Sequence, residues 1–218
     1  MSRKIVIAGG SGLVGKQAAE MLARAGFSVH LVSRRPSVSL APNIQEHVAP
    51  TADWPAIVAH IKPDVAISGL GTTIRTAGSR DAFRAVDHDL VLAFAQASHE
   101  AGAQQFITIS SVGAIPASSS FYLRTKAEME QGLRNIGFQR LDIMRPSLLT
   151  GGQRDDRRPG EALGILLSPF VDILMFGPMR KFASTPSGKV AKAIASLAKP
   201  GDDGVFIHEN ESINALAG

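Results

Sequence analysis

Residues 5–15 read Ile5-Val6-Ile7-Ala8-Gly9-Gly10-Ser11-Gly12-Leu13-Val14-Gly15. The first four form a short apolar run rich in β-branched side chains, which predicts a strand. From Leu13 to Ala25 apolar residues recur at helical spacing until Gly26 stops them, which predicts a helix. The turn between is rich in glycine. Glycines there permit a tight bend, a close approach of backbone to a pyrophosphate, and close packing of helix on strand, while the helix N-terminus faces negative phosphates. Strand, glycine turn and helix in this order predict a dinucleotide-binding unit, with Gly9, Ser11, Gly12, Leu13, Val14 and Gly15 along the phosphates.

The same alternation continues outward. Strands are expected at Phe27 to Val32, Ile44 to Val48, Val65 to Ser68, Gln105 to Ile109 and Leu141 to Met144, and helices at Asp53 to Ile61, Arg80 to Ala101 and Phe121 to Ile136. Such a succession predicts an α/β protein: a Rossmann-like, doubly wound parallel sheet flanked by helices, in a single domain spanning 1–218. Its ligand crevice should lie at the carboxyl ends of the strands. Beyond Arg145 we expect a charged loop at Gln153 to Gly160, a helix at Ser187 to Ala198, a strand at Val205 to His208 and a short helix at Glu211 to Ala217. The region 146–186 would form a small substrate or lid segment. Its apolar stretch, Ala162 to Met179, is interrupted by Pro169, Asp172 and Pro178, so it reads as a lid or a homodimer contact rather than a membrane span.

The end of the second strand chooses the cofactor. An NAD site usually carries Asp or Glu roughly 20 residues beyond the glycines to bind ribose hydroxyls. Here the sequence is Ser33-Arg34-Arg35, and the first acid, Glu46, is out of place. Two guanidiniums beside a serine hydroxyl suit a 2′-phosphate. NADP(H) is therefore expected in preference to NAD(H).

The only tyrosine, Tyr122, has Lys126 four residues later and Ser110-Ser111 before it at a strand end. Residues four apart share a helix face, so phenol and ammonium reach one site. A free phenol titrates at about pH 10, and a neighbouring ammonium favours the phenolate, as general acid–base work near neutrality requires. Ser111 would hydrogen-bond a substrate carbonyl, with Ser110 the alternative if the turn is one residue out of register.

Composition excludes other classes. With no cysteine there is neither disulfide nor thiolate chemistry, and the six histidines fall in no metal-ligand spacing, so no metal is expected. A net charge of +4 with arginines in short groups gives no basic stripe for nucleic acid. The start Met-Ser-Arg-Lys runs directly into a strand without a signal-peptide pattern, so a cytoplasmic protein is expected, off the membrane.

The glycine turn, Ser110-Ser111, Tyr122-x-x-x-Lys126 and Arg145-Pro146 together resemble the short-chain dehydrogenase/reductases. Leu70-Gly71-Thr72-Thr73, Val86-Asp87, Ser110-Ser111-Val112-Gly113-Ala114 and Arg158-Pro159-Gly160-Glu161 resemble the atypical, Tat-interacting-protein-like branch. The resemblance implies a Rossmann-type NADP-binding fold with Tyr122 as proton donor or acceptor. It implies that Lys126 holds the nicotinamide ribose, that Gly71 and Thr72 lie along the cofactor, and that Arg145-Pro146 approach its nicotinamide end. Many relatives carry an Asn in the long helix to complete a proton relay, where this chain has Asp87. The activity implied is an NADPH-dependent reductase or dehydrogenase acting on a partly apolar small-molecule carbonyl or alcohol. The alternative is an NADP(H)-sensing regulatory protein with little or no turnover.

Overall fold

A computed structural model describes residues 2–37, 40–151 and 184–218. In chain order the elements begin with β1 (Lys4–Ala8), α1 (Leu13–Arg24), β2 (Ser28–Ser33), β3 (Ile44–Val48), α2 (Trp54–Ile61) and β4 (Val65–Ser68). There follow α3 (Ile74–Ala77), α4 (Arg80–Arg84), a π-helical turn (Ala85–Asp89), α5 (Leu90–Glu100), β5 (Gln105–Ile109) and α6 (Phe121–Ile136). The chain continues through β6 (Arg140–Met144), β7 (Leu149–Thr150), β8 (Thr185–Pro186), α7 (Ser187–Leu197), β9 (Gly204–His208) and α8 (Asn210–Ala217). Seven strands form one sheet in the order β3-β2-β1-β4-β5-β6-β9, every pair parallel. β7 and β8 pair separately.

A parallel sheet must be covered on both faces, and the residues of β1 show why this one is. Ile5 and Ile7 point to one face and join Leu31, Ile67 and Ile107 under α1, α7 and α8, which contribute Leu22, Ile194 and Ile213. Val6 and Ala8 point to the other and join Phe106 and Ile143 under α2, α5 and α6, which contribute Val58, Phe94 and Leu133. Fully burying each such aliphatic or aromatic side chain contributes about 1.5–3 kcal/mol. The Rossmann-like doubly wound architecture is thus present. Strand order reverses between β1 and β4, which puts the crevice at their carboxyl ends.

Three features differ from expectation. The helix read as continuous from Arg80 to Ala101 is broken by the π turn at Ala85–Asp89, a form that recurs at functional sites. Thr73 and Ser79 cap α3 and α4 by accepting from Thr76 N and Ala82 N, so a short extra helix precedes the long one. The pairing of β7 with β8 also went unforeseen, because strands of two residues carry no periodicity. The charged loop Gln153 to Gly160, the apolar stretch Ala162 to Met179 read as a lid or homodimer contact, and Arg158 to Glu161 lie outside the described residues.

Candidate active site

The glycine turn sits at the switch point. Gly9 has φ +82°, and a Cβ on it would come within 2.5 Å of the Gly69 backbone, so the ends of β1 and β4 meet closely only because a side chain is missing. A Cβ on Gly15 would come within 2.3 Å of Gly9 O, so α1 packs directly on the turn. Gly12 N donates to Gly9 O at 3.0 Å and Gly12 is the N-cap of α1, with no side-chain cap bond. The first-turn amides of α1, at Leu13 and Val14, thus lack a side-chain cap, and Ser11 and Gly12 are exposed. This cradle fits a dinucleotide pyrophosphate, since nothing acidic stands in the first turn of α1 to oppose it.

At the end of β2, Arg34 and Arg35 are exposed, and their guanidiniums make no hydrogen bond or ion pair among the described residues. Ser33 does not join them. Its side chain is buried, and its single hydroxyl proton is shared between Arg35 O at 2.9 Å and Glu46 Oε1 at 3.1 Å. The register of β2 turns the Ser33 hydroxyl, expected beside the 2′-phosphate, inward toward β3.

α6 carries the central groups. Ser120 caps its start and Gly137, at φ +88°, ends it. Tyr122 is half-buried with its ring against Phe83, 5.5 Å between centroids, and its hydroxyl has no hydrogen-bond partner among the described residues. One turn on, Lys126 Nζ lies 2.8 Å from Asp87 Oδ1 and donates to Ile109 O at 3.4 Å. Asp87 Oδ2 accepts from Thr72 N at 2.7 Å. One buried carboxylate in the π turn therefore joins Lys126 to the loop that holds Gly71 and Thr72. Asp87 faces the site and holds the lysine directly.

Another turn along the same face stands Glu130, buried, which sequence reasoning missed. It accepts from Ser110 Oγ at 2.5 Å and from Arg145 Nε and Nη2 at 2.9 and 2.6 Å. This triad fixes the surroundings of two residues singled out in the sequence, Ser110 and Arg145. Ser110 is buried and bonded to Glu130, whereas Ser111 is half-buried and its hydroxyl makes only a 3.3 Å contact to Val112 O. The Arg145 guanidinium is held bidentately by Glu130 at the end of β6. Its hydrogen bonds to the Glu130 carboxylate raise its pKa further, so it stays cationic. The Pro146 carbonyl accepts from Val112 N at 3.0 Å and sews the Ser111 turn to the end of β6. The i+4 step from Lys126 was the available signal for Glu130, but an acid at that spacing also fits a solvated helix face.

Among the described residues no group of three or more His, Asp or Glu could hold a metal ion, and no helix is long and apolar enough to cross a membrane.

Comparison with known proteins sets this geometry in a family. A sequence model described as the NAD dependent epimerase/dehydratase family matches residues 5–163. "Protein fmp52, mitochondrial" of Emericella nidulans is 41% identical over 115 residues, which cover 52% of this chain and about half, 49%, of that relative. "Protein FMP52, mitochondrial" of Coccidioides immitis is 29% identical over 97% of this chain and 92% of its own length. The structure titled "MoeE5 in complex with UDP-glucuronic acid and NAD" shares the fold, with a TM-score of 0.72 at 17% identity over 94% of this chain and 75% of that one. The relatives' names overturn the cytoplasmic expectation, since both carry the word mitochondrial. With a cradle for a dinucleotide at the β1–β4 switch point and the family match running through it, the chain belongs to the NAD dependent epimerase/dehydratase family, an NAD(P)-binding branch of the short-chain dehydrogenase/reductase superfamily.

Proposed function

We propose that the protein is an NADP(H)-dependent oxidoreductase that interconverts a carbonyl and an alcohol, with Tyr122 as acid and base. The observation that carries this is the face of α6: a half-buried phenol whose hydroxyl has no hydrogen-bond partner among the described residues, one turn before a buried ammonium that touches the strand end carrying Ser111. A nicotinamide nucleotide bound along the glycine turn would supply or accept the hydride. Leu13 and Val14 amides would face its phosphates, Gly71 and Thr72 would lie along it, Arg34 and Arg35 would take the 2′-phosphate, and Lys126 the ribose hydroxyls. Tyr122 exchanges the proton with the substrate oxygen, and Ser111 donates a hydrogen bond to that oxygen as its charge develops. Ile115 and Leu148, 53% and 51% exposed, stand on the loops that Val112 and Pro146 tie together, and support a partly apolar small-molecule substrate.

Purified protein with NADPH and a panel of aldehydes, ketones and quinones should oxidise the nucleotide. Tyr122→Phe should lower that rate at least about a hundredfold, the scale of general acid catalysis, without changing NADPH affinity. Turnover that survives the substitution rules out this assignment.

A second reading, an NADP(H) sensor, is favoured by the Asp87–Lys126 pair, in which the ammonium already has a buried counter-charge. Tight NADPH binding without turnover across the panel would select it.

A further inference from the structure

Glu46 lies outside the acid position of an NAD site in the sequence, yet the sheet brings it back to the cofactor edge. Leu31 and Glu46 are register partners on β2 and β3, so Glu46 shares a face with Leu31 and Ser33. That is the face covered by α1, and Leu31 sits directly under the glycine turn: a Cβ on Gly10 would come within 2.8 Å of Leu31 Cδ2. The Glu46 carboxylate is half-buried there. Its Oε1 accepts from Ser33 Oγ at 3.1 Å, from Ser37 N at 3.0 Å and from Ser37 Oγ at 2.6 Å, and its Oε2 accepts from Ser37 N at 3.1 Å. Ser33 Oγ also reaches Arg35 O at 2.9 Å. Both ends of the segment 33–37 are thus tied to one carboxylate.

Between those ties stand Arg34 and Arg35. An acid so close to two arginines would ordinarily pair with a guanidinium and cancel part of its charge. This one is engaged by two hydroxyls and an amide, and neither arginine makes an ion pair among the described residues. The loop is therefore braced while its two cations remain available. Free of such a brace, a loop with two long side chains would have to be ordered by the ligand itself, and that cost is subtracted from affinity.

We infer that Glu46 is a positioning residue for cofactor choice: by bracing Ser33 and Ser37 it pre-forms the Arg34–Arg35 fork for a 2′-phosphate and so favours NADP(H) over NAD(H). The inference rests on the NADP(H) reading above. It concerns binding, so it is separable from whether the protein turns over a substrate.

The test is calorimetric titration of the intact protein with NADPH, NADH, adenosine 2′,5′-bisphosphate and adenosine 5′-monophosphate. Glu46→Ala should weaken NADPH and the bisphosphate about tenfold while NADH and the monophosphate change less than about twofold. Ser37→Ala should reproduce part of that loss, and Glu46→Gln, which keeps an acceptor for Ser37, should lose less than Glu46→Ala. Equal weakening of phosphorylated and unphosphorylated ligands would overturn the inference, since Glu46 would then support only the fold. Tighter NADPH binding by Glu46→Ala or Glu46→Gln would also overturn it, showing that the carboxylate opposes the phosphate. Arg34→Ala with Arg35→Ala separates the two levels: if it affects NADPH and NADH alike, the NADP(H) reading itself fails, whatever Glu46 does.

Discussion

At Lys126 the ammonium and its partner Asp87 are both nearly shut off from water, with side chains 4% and 1% exposed. Two charges so placed have lost their hydration, and what holds them is each other together with Thr72 N and Ile109 O. Removing one partner is therefore far worse than removing both. Asp87→Asn should cost about 3 kcal/mol in urea unfolding, because the ammonium is left buried without a counter-charge. Adding Lys126→Met to the same chain should return most of that loss. Losses that merely add would mean that the two side chains act separately. The aspartate was visible in the sequence as a departure from the family's usual Asn, but its partner was not, since all of α5 and β5 separate the two. Ser110 and Ser111 illustrate the same limit. Either could have faced a substrate, and only the position of Glu130 shows that Ser110 is engaged.

α6 is fastened along one face at four-residue intervals, by Lys126 to the end of β5 and the π turn and by Glu130 to Ser110 and Arg145. Glu130 thus fixes the rotation of the helix against β5 and β6, and with it the direction in which Tyr122 points. Glu130→Ala should destabilise the protein by about 3 kcal/mol, since the Arg145 guanidinium loses its bidentate partner in a largely buried setting. Ser110→Ala removes a single neutral donor and should cost about 1 kcal/mol. Thermal and urea unfolding of the two variants will show whether the order holds. The helix itself was legible from its apolar spacing and from Gly137 behind it. The π turn was not, because one extra residue per turn over Ala85–Asp89 barely disturbs the periodicity of a long helix.

Across the whole molecule, Asp142 on β6 ties the late elements to the sheet. Its carboxylate accepts from Gln105 Nε2 at 2.8 Å and Arg140 Nε at 2.8 Å, and lies 2.9 Å from His208 Nε2 on β9; Gln105 reaches on to Leu197 O in α7, and His208 lies 2.9 Å from Ser212 in α8. Burial alone would raise its pKa, but the hydrogen bonds to His208, Arg140 and Gln105 outweigh that and hold it below the ordinary carboxylate range. A group with a depressed folded-state pKa contributes stability that is complete above its unfolded value, about 3.9, and is lost as pH falls through the lower folded value. Unfolding free energy should therefore decline as the pH drops below about 4. Asp142→Asn, less stable at pH 7, should show a flatter acid limb in urea titrations across that range. An unchanged limb would assign acid unfolding to other carboxylates.

The sequence by itself determined the alternation of strand and helix, the parallel sheet, the glycine turn at its switch point and the helix face of Tyr122 and Lys126. Each of these follows from the sterics of neighbouring residues or from a repeat of two or about four positions, so it can be read along the chain. Only the tertiary structure decided that Ser33 is bonded to Glu46 and Arg145 to Glu130, that Ser110 rather than Ser111 is engaged by Glu130, and that Glu46 and Asp87 stand beside the groups they hold. Those partnerships join residues on different strands and helices, and the register and packing that bring them within hydrogen-bond distance are properties of the assembled sheet, not of any spacing in the chain.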